Sequence, residues 1–179
     1  MSRGEFAHAV ARAAGLPLDP PASPSFDDVP ANHPFFAEIE AFAAAGITNG
    51  CGERAFCPDE PLKRSHAAAF LSRAAGWTHC EGDQPTFEDV PADHTFYEGI
   101  EMLAAHCVTN GCSDTEFCPD DELTRQQAAL FVTRTFDIED ANRCFNRCQG
   151  GGIGGMDVNC DGSIDMCTSE VDPGDELTN

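Results

Sequence analysis

A period of sixty-one residues governs this chain. Phe26-Asp27-Asp28-Val29-Pro30 returns as Phe87-Glu88-Asp89-Val90-Pro91, and Thr48-Asn49-Gly50-Cys51 returns as Thr109-Asn110-Gly111-Cys112. Cys57 and Cys118, Pro58-Asp59 and Pro119-Asp120, Arg64 and Arg125, and Phe70 and Phe131 keep the same offset without a gap. Such a register implies that one supersecondary unit is used repeatedly, each copy burying its apolar face against a neighbour. The period also reaches backwards, because Ser2-Arg3-Gly4-Glu5-Phe6-Ala7 falls onto Lys63-Arg64-Ser65-His66-Ala67-Ala68, and Gly15 onto Gly76. The chain therefore enters the repeat at its midpoint. The expected units are the second half of a first repeat with its linker over residues 1–24, repeats over 25–85 and 86–137, and a separate tail over 138–179.

Each unit reads as two helices around a loop. Phe35, Ile39, Phe42, Ala43 and Gly46, and then Phe96, Ile100, Leu103, Ala104 and Cys107, recur at spacings of three and four and make one apolar stripe. Asn32 and Asp93 are the expected N-caps of this first helix, and His33 and His94, repeated at its start, suit a capping or packing role. The second helix begins near Arg3, Arg64 or Arg125 and buries Phe6 and Val10, or Ala67, Phe70, Leu71 and Ala74, or Ala128, Phe131 and Val132, with Gly15 and Gly76 suited to its stop. Ser2-x-x-Glu5 and Thr124-x-x-Gln127 are capping boxes, whereas the middle unit has Lys63 and His66 there. The loops, 49–60 and 110–121, are rich in Gly, Pro and Asp. An all-α array joined by structured loops follows.

Charge and cysteine content narrow the functional class. Thirty-one acidic residues face ten basic ones for a net charge of −21, and Lys63 is the one lysine. Nucleic acid and anionic membranes demand the clustered cations that this chain lacks. No apolar stretch approaches the roughly 18 residues needed to span a bilayer, and residues 1–10 lack the pattern of a signal peptide, which is expected upstream or already removed. Ten cysteines at regular spacing in an acidic chain point to an oxidising, extracellular location. Cys51 with Cys57 and Cys112 with Cys118 are natural disulfide partners, since five intervening residues are too many for a zinc knuckle. Cys80 and Cys107 have no counterparts one period away and are expected to pair with each other.

The repeated anchors Phe26/Asp28/Val29, Ile47-Thr48-Asn49-Gly50, Pro58-Asp59, Leu62 and Arg64, and their copies Phe87/Asp89/Val90, Val108-Thr109-Asn110-Gly111, Pro119-Asp120 and Leu123-Thr124-Arg125, resemble the S-layer homology module of bacterial cell-surface proteins. The resemblance covers about residues 1–136 and implies tandem helix-loop-helix repeats in a pseudo-threefold, three-prong bundle. It further implies grooves that hold an anionic wall polysaccharide, with Arg3, Arg64 and Arg125 as ligand contacts. An arginine at a helix N-terminus offers a bidentate donor beside a positive dipole end. The same arginines could instead pair with Asp59 and Asp120 and hold the loop down. The motif reads Ser-Arg-Gly-Glu, Lys-Arg-Ser-His and Thr-Arg-Gln-Gln, so the arginine alone persists in all three copies.

Beyond residue 137 the period fails. Asp157-Val158-Asn159-Cys160-Asp161-Gly162-Ser163-Ile164-Asp165 sets oxygen ligands at positions 1, 3, 5, 7 and 9 of a calcium loop, with glycine at 6. Thr168 stands where a full EF-hand has its bidentate acid, and the segment more nearly resembles dockerin and thrombospondin type 3 repeats. The expected calcium ligands are Asp157, Asn159, Asp161, Ser163 and Asp165. Cys144, Cys148, Cys160 and Cys167 allow two disulfides in three connectivities, with a four-thiolate zinc site as the other reading.

Two functions follow. One is a non-catalytic anchoring or scaffolding module at the cell surface that binds wall glycan. The other is a structural or accessory subunit of an extracellular assembly, with repeats and tail as protein contacts to a neighbouring surface protein. The incomplete first repeat is a further place for assembly, and no nucleophile, base and orienter set suggests an enzyme.

Overall fold

The computed structural model describes residues 1–77 and 85–136, together with the backbone of two short strands, 156–158 and 164–166. Five helices make the repeat region: α1 (Arg3–Ala13), α2 (Phe36–Ala44), α3 (Arg64–Ala74), α4 (Tyr97–Ala105) and α5 (Arg125–Phe136). α1, α3 and α5 are the second helices of successive units, while α2 and α4 are first helices. No helix among the described residues is long and apolar enough to cross a membrane. β1 (Met156–Val158) and β2 (Ile164–Met166) pair antiparallel, with Asp157 opposite Asp165. Of the expected calcium ligands only those two fall on described backbone; Asn159, Asp161 and Ser163 lie outside the described residues.

The helices follow from the stripes and caps. Ser2 Oγ accepts from the Glu5 amide while Glu5 returns a carboxylate to the Ser2 amide, and Thr124 and Gln127 repeat the exchange at α5. α3 starts at Lys63 with no side-chain cap, and Lys63 reaches Asp120 instead at 2.7 Å. The start of the first helix departs from expectation. Asn32 and Asp93 lie in a turn ahead of it, and the residue at the helix boundary is Phe35 in α2 and Phe96 in α4. There His33 Nδ1 accepts from the Phe35 amide and His94 Nδ1 from the Phe96 amide, both at 3.1 Å, so the two histidines serve the helix entry.

The core is aliphatic and aromatic. Phe6, Phe42, Phe56, Phe87, Phe117, Ile39, Leu62, Leu71, Ile100, Leu103 and Leu123 are fully buried. α1 packs against α2 and α3 against α4, and α1, α3 and α5 also touch one another. Three equivalent positions close a cycle of backbone bonds: the Leu62 amide donates to Met1 O at 3.0 Å, the Leu123 amide to Leu62 O at 2.7 Å, and the Met1 nitrogen to Leu123 O at 3.2 Å.

Cys51–Cys57 and Cys112–Cys118 are disulfides, as their spacing predicts. Cys107 is also disulfide-bonded, and Cys80 lies outside the described residues. Both loops turn on a glycine whose place leaves no room for a Cβ unless the backbone shifts. Gly50 has φ of +90°, and a Cβ there would collide with the Ala55 carbonyl oxygen; Gly111 repeats this against Glu116 at +91°. Gly46, at +70°, faces open space. Gly46→Ala should therefore cost about 1 kcal/mol in denaturant unfolding, the price of the left-handed backbone alone, and Gly50→Ala clearly more, because the loop itself must shift.

Candidate functional site

The three motif arginines occupy two kinds of place. Arg3 and Arg64 are buried, at 4% and 3% exposure, whereas the Arg125 side chain is 74% exposed. Arg3 Nε donates to Phe56 O at 2.9 Å and Arg64 Nε to Phe117 O at 2.8 Å. Each guanidinium lies between two rings, 5.0 Å from Phe56 and 5.2 Å from Phe70 for Arg3, and 4.7 Å from Phe117 and 5.4 Å from Phe131 for Arg64. Cation–π attraction of this kind strengthens as water is removed. Burial pulls both guanidinium pKa values below the ordinary arginine value, against the opposing pull of Glu60 and Asp28 on Arg3 and of Asp121 and Asp89 on Arg64. One Nη2 of each is buried without a hydrogen-bond partner.

The carbonyls that receive these arginines are held from behind. Asp28 accepts from the Phe56 amide at 2.8 Å and the Cys57 amide at 2.7 Å, and Asp89 does the same for Phe117 and Cys118 at the same distances. Cys57 and Cys118 sit at φ of +58°, a left-handed backbone that these bonds and the adjoining disulfide hold in place. The loop is thus pinned by the Asp of its own unit and the Arg of the preceding one. The alternative pairing of the arginines with Asp59 and Asp120 does not form: backbone carbonyls take the arginines, and Asp120 takes Lys63. A second repeated device went unread in the sequence. Buried Glu40 receives the Ser25 amide at 2.8 Å and its hydroxyl at 2.6 Å, and Glu101 receives those of Thr86 at 3.0 and 2.6 Å. The repetition of Ser25/Thr86 and Glu40/Glu101 at the common offset was the available signal.

Between α3 and α4 lies a recess of about 110 Å³ lined by Ser72, Arg73, Trp77, Thr95, Glu98 and Met102. The Trp77 ring stacks on His106 at 3.9 Å. At the same level of the α1–α2 pair there is instead a polar cluster, where Glu38 accepts from Arg12 at 2.9 Å and meets His8 Nδ1 at 2.9 Å. Glu38 is replaced by Gly99 in the next unit and His8 by Ala69, which lets α4 approach α3 closely: a Cβ on Gly99 would lie 3.0 Å from Ala69 Cα.

Burial alone would raise the Glu38 pKa, but the hydrogen bonds from Arg12, its own backbone and His8 outweigh it and hold the carboxyl below the ordinary 4.5. A depressed carboxylate stabilises the fold above the unfolded pKa and loses that contribution as pH falls through the folded one. Chemical denaturation at decreasing pH should therefore show stability falling below about 4.5, with the Glu38→Gln variant showing a shallower fall. The arginines give a sharper contrast. Arg64→Ala should lower unfolding free energy by about 3 kcal/mol, since it abandons a buried acceptor and two rings, while Arg125→Ala should stay within about 0.5 kcal/mol.

The S-layer homology domain matches residues 25–68 and 86–129. The chain is 28% identical to a cell surface protein of Thermoanaerobacter kivui over 66% of its own length and 16% of the relative's. It is 32% identical to a surface-layer 125 kDa protein of Lysinibacillus sphaericus, over 56% of this chain and 8% of that one. An uncharacterized cell wall amidase of Bacillus anthracis is 31% identical over 79% of this chain and 26% of its own. The chain thus spans about a quarter or less of the length of these relatives. Within the two full repeats, residues 25–68 and 86–129 are the segments that match S-layer homology domains.

Proposed function

We propose that this chain is a non-catalytic module of the cell surface that anchors its protein by binding cell-wall polysaccharide in the grooves of a pseudo-threefold, three-prong bundle. The observation that carries this reading is the duplicated match to the S-layer homology domain, together with similarity to relatives named as surface-layer and cell surface proteins. The cycle of bonds through Met1, Leu62 and Leu123 supports the threefold arrangement. The disulfides favour an oxidising, extracellular setting. The named amidase among the relatives covers far more chain than this one, and the carboxylates described above are occupied in holding loops and helix ends.

Within the grooves, Arg125 is the motif arginine whose guanidinium reaches solvent, and the recess beside Trp77 and Arg73 offers an aromatic face and a cation to a sugar acid. Arg3 and Arg64, also assigned to the glycan by the family resemblance, would act on it from behind the loop carbonyls they hold. In the tail, Asp157, Asn159, Asp161, Ser163 and Asp165 supply the hard oxygen donors that a calcium ion takes.

A second reading is a structural or accessory subunit of an extracellular assembly. The net charge of −21 favours it, because an acidic polymer is repelled by an acidic surface unless a cation intervenes. Sedimentation with purified cell-wall material separates the two. The anchoring reading expects retention of the full chain and a severalfold loss in Arg125→Ala and Trp77→Ala; no retention at all would leave the assembly reading. Calcium titration by calorimetry should show one binding event that Asp161→Ala removes.

A further inference from the structure

Asparagine followed by glycine is the step at which a polypeptide most readily modifies itself, because a residue without Cβ leaves its amide nitrogen open to the neighbouring side chain. The chain contains this step twice, as Asn49-Gly50 and Asn110-Gly111, one period apart. Both asparagines are exposed. In the reaction the glycine amide gives up its proton and its nitrogen attacks the asparagine Cγ. The new N–Cγ bond closes a succinimide ring and ammonia leaves. Water then opens the ring at one or other carbonyl, giving aspartate, or isoaspartate with the main chain rerouted through the side chain.

Each glycine is held back from this path by a hydroxyl. The Gly50 amide donates to Thr48 Oγ1 at 3.0 Å and the Gly111 amide to Thr109 Oγ1 at 3.1 Å. The two threonines are buried, at 4% and 2% exposure, which shields the bond from competing water. A hydrogen bond given by the neutral amide opposes the ionisation that must precede attack. The glycine is also fixed from its other side. The next amide, of Cys51 or Cys112, donates to Ala55 O or Glu116 O at 2.8 Å, and a Cβ on Gly50 or Gly111 would collide with that same carbonyl oxygen. Ring closure draws the glycine nitrogen toward the preceding side chain and pulls against both bonds.

We propose that Asn49-Gly50 and Asn110-Gly111 are latent self-modification sites, whose deamidation the hydroxyls of Thr48 and Thr109 suppress in the folded chain. Their position gives the suppression its weight. The same loops offer Phe56 O to buried Arg3 and Phe117 O to buried Arg64. An isoaspartate adds a carbon to the main chain directly before a glycine whose place already leaves no room for a Cβ. The loop must then shift, and the carbonyl that receives the arginine moves with it.

The test incubates the full, disulfide-bonded chain at mildly alkaline pH beside its Thr48→Val, Thr109→Val and Thr48→Ser variants. Peptide mass mapping reads deamidation at Asn49 and Asn110 separately, and circular dichroism checks that each variant keeps the parent fold. The parent should deamidate at both sites about tenfold or more slowly than the same chain reduced and unfolded in denaturant. Thr48→Val should speed Asn49 about fivefold, the effect of losing one hydrogen bond, and leave Asn110 at the parent rate. Thr109→Val should do the converse, and Thr48→Ser, which keeps the hydroxyl, should stay near the parent. The untouched site in each variant is the internal control, since a general loosening speeds both. Parent rates equal to those of the unfolded chain overturn the proposal. So do folded valine variants that leave the adjoining asparagine unchanged or speed both sites alike.

Discussion

The peptide unit that begins at Phe56, and its copy at Phe117, is the point on which the repeats depend. Its amide is taken by an aspartate of its own unit and its carbonyl by the buried arginine of the unit before. The buried arginine charge is not tolerable alone in such a place, because an ion removed from water must recover its lost hydration from fixed partners. It recovers it from a carbonyl, two ring faces and nearby carboxylates, among them the aspartate that takes the two loop amides. The bonding runs across the unit boundary, so a single unit has no complete version of it. The loop, with little regular structure of its own, is in this way held from two sides.

Much of this was legible from periodicity. The helices, the disulfides within the loops and the capping boxes at Ser2 and Thr124 are all short-range features, set by residues within one or two turns of each other. What escaped are the partnerships that only tertiary folding creates. Asp28 looks like a turn residue until it is seen to reach a loop twenty-eight positions away. Arg64 carries the same letter as Arg125 in the same motif, yet one is enclosed and the other wet, since the loop at Phe117 closes over Arg64 while Arg125 reaches Glu5 at the surface. Asn32 had the right chemistry for an N-cap but the wrong geometry, because the turn after Pro30 delays the helix and gives the entry amide to a histidine ring.

The copies have also diverged where contact geometry permits it. The middle helix gave up its capping box and gained an ion pair across to the next loop. The exchange of Glu38 and His8 for Gly99 and Ala69 replaced a polar cluster with close backbone contact between helices. Each change keeps one junction satisfied by different means, and this makes the junctions chemically distinct while their backbones stay superposable in sequence register.

The mutual contact of α1, α3 and α5 has a consequence for how the repeat region comes apart. In an open solenoid each unit touches only its neighbours, so the terminal ones fray first and loss spreads inward. Here the first helix touches the last, and the bonds through Met1, Leu62 and Leu123 lead back to their origin. Among the described residues, each of the three second helices touches both of the others. A load applied at either end of residues 1–136 therefore meets contacts shared among all three second helices.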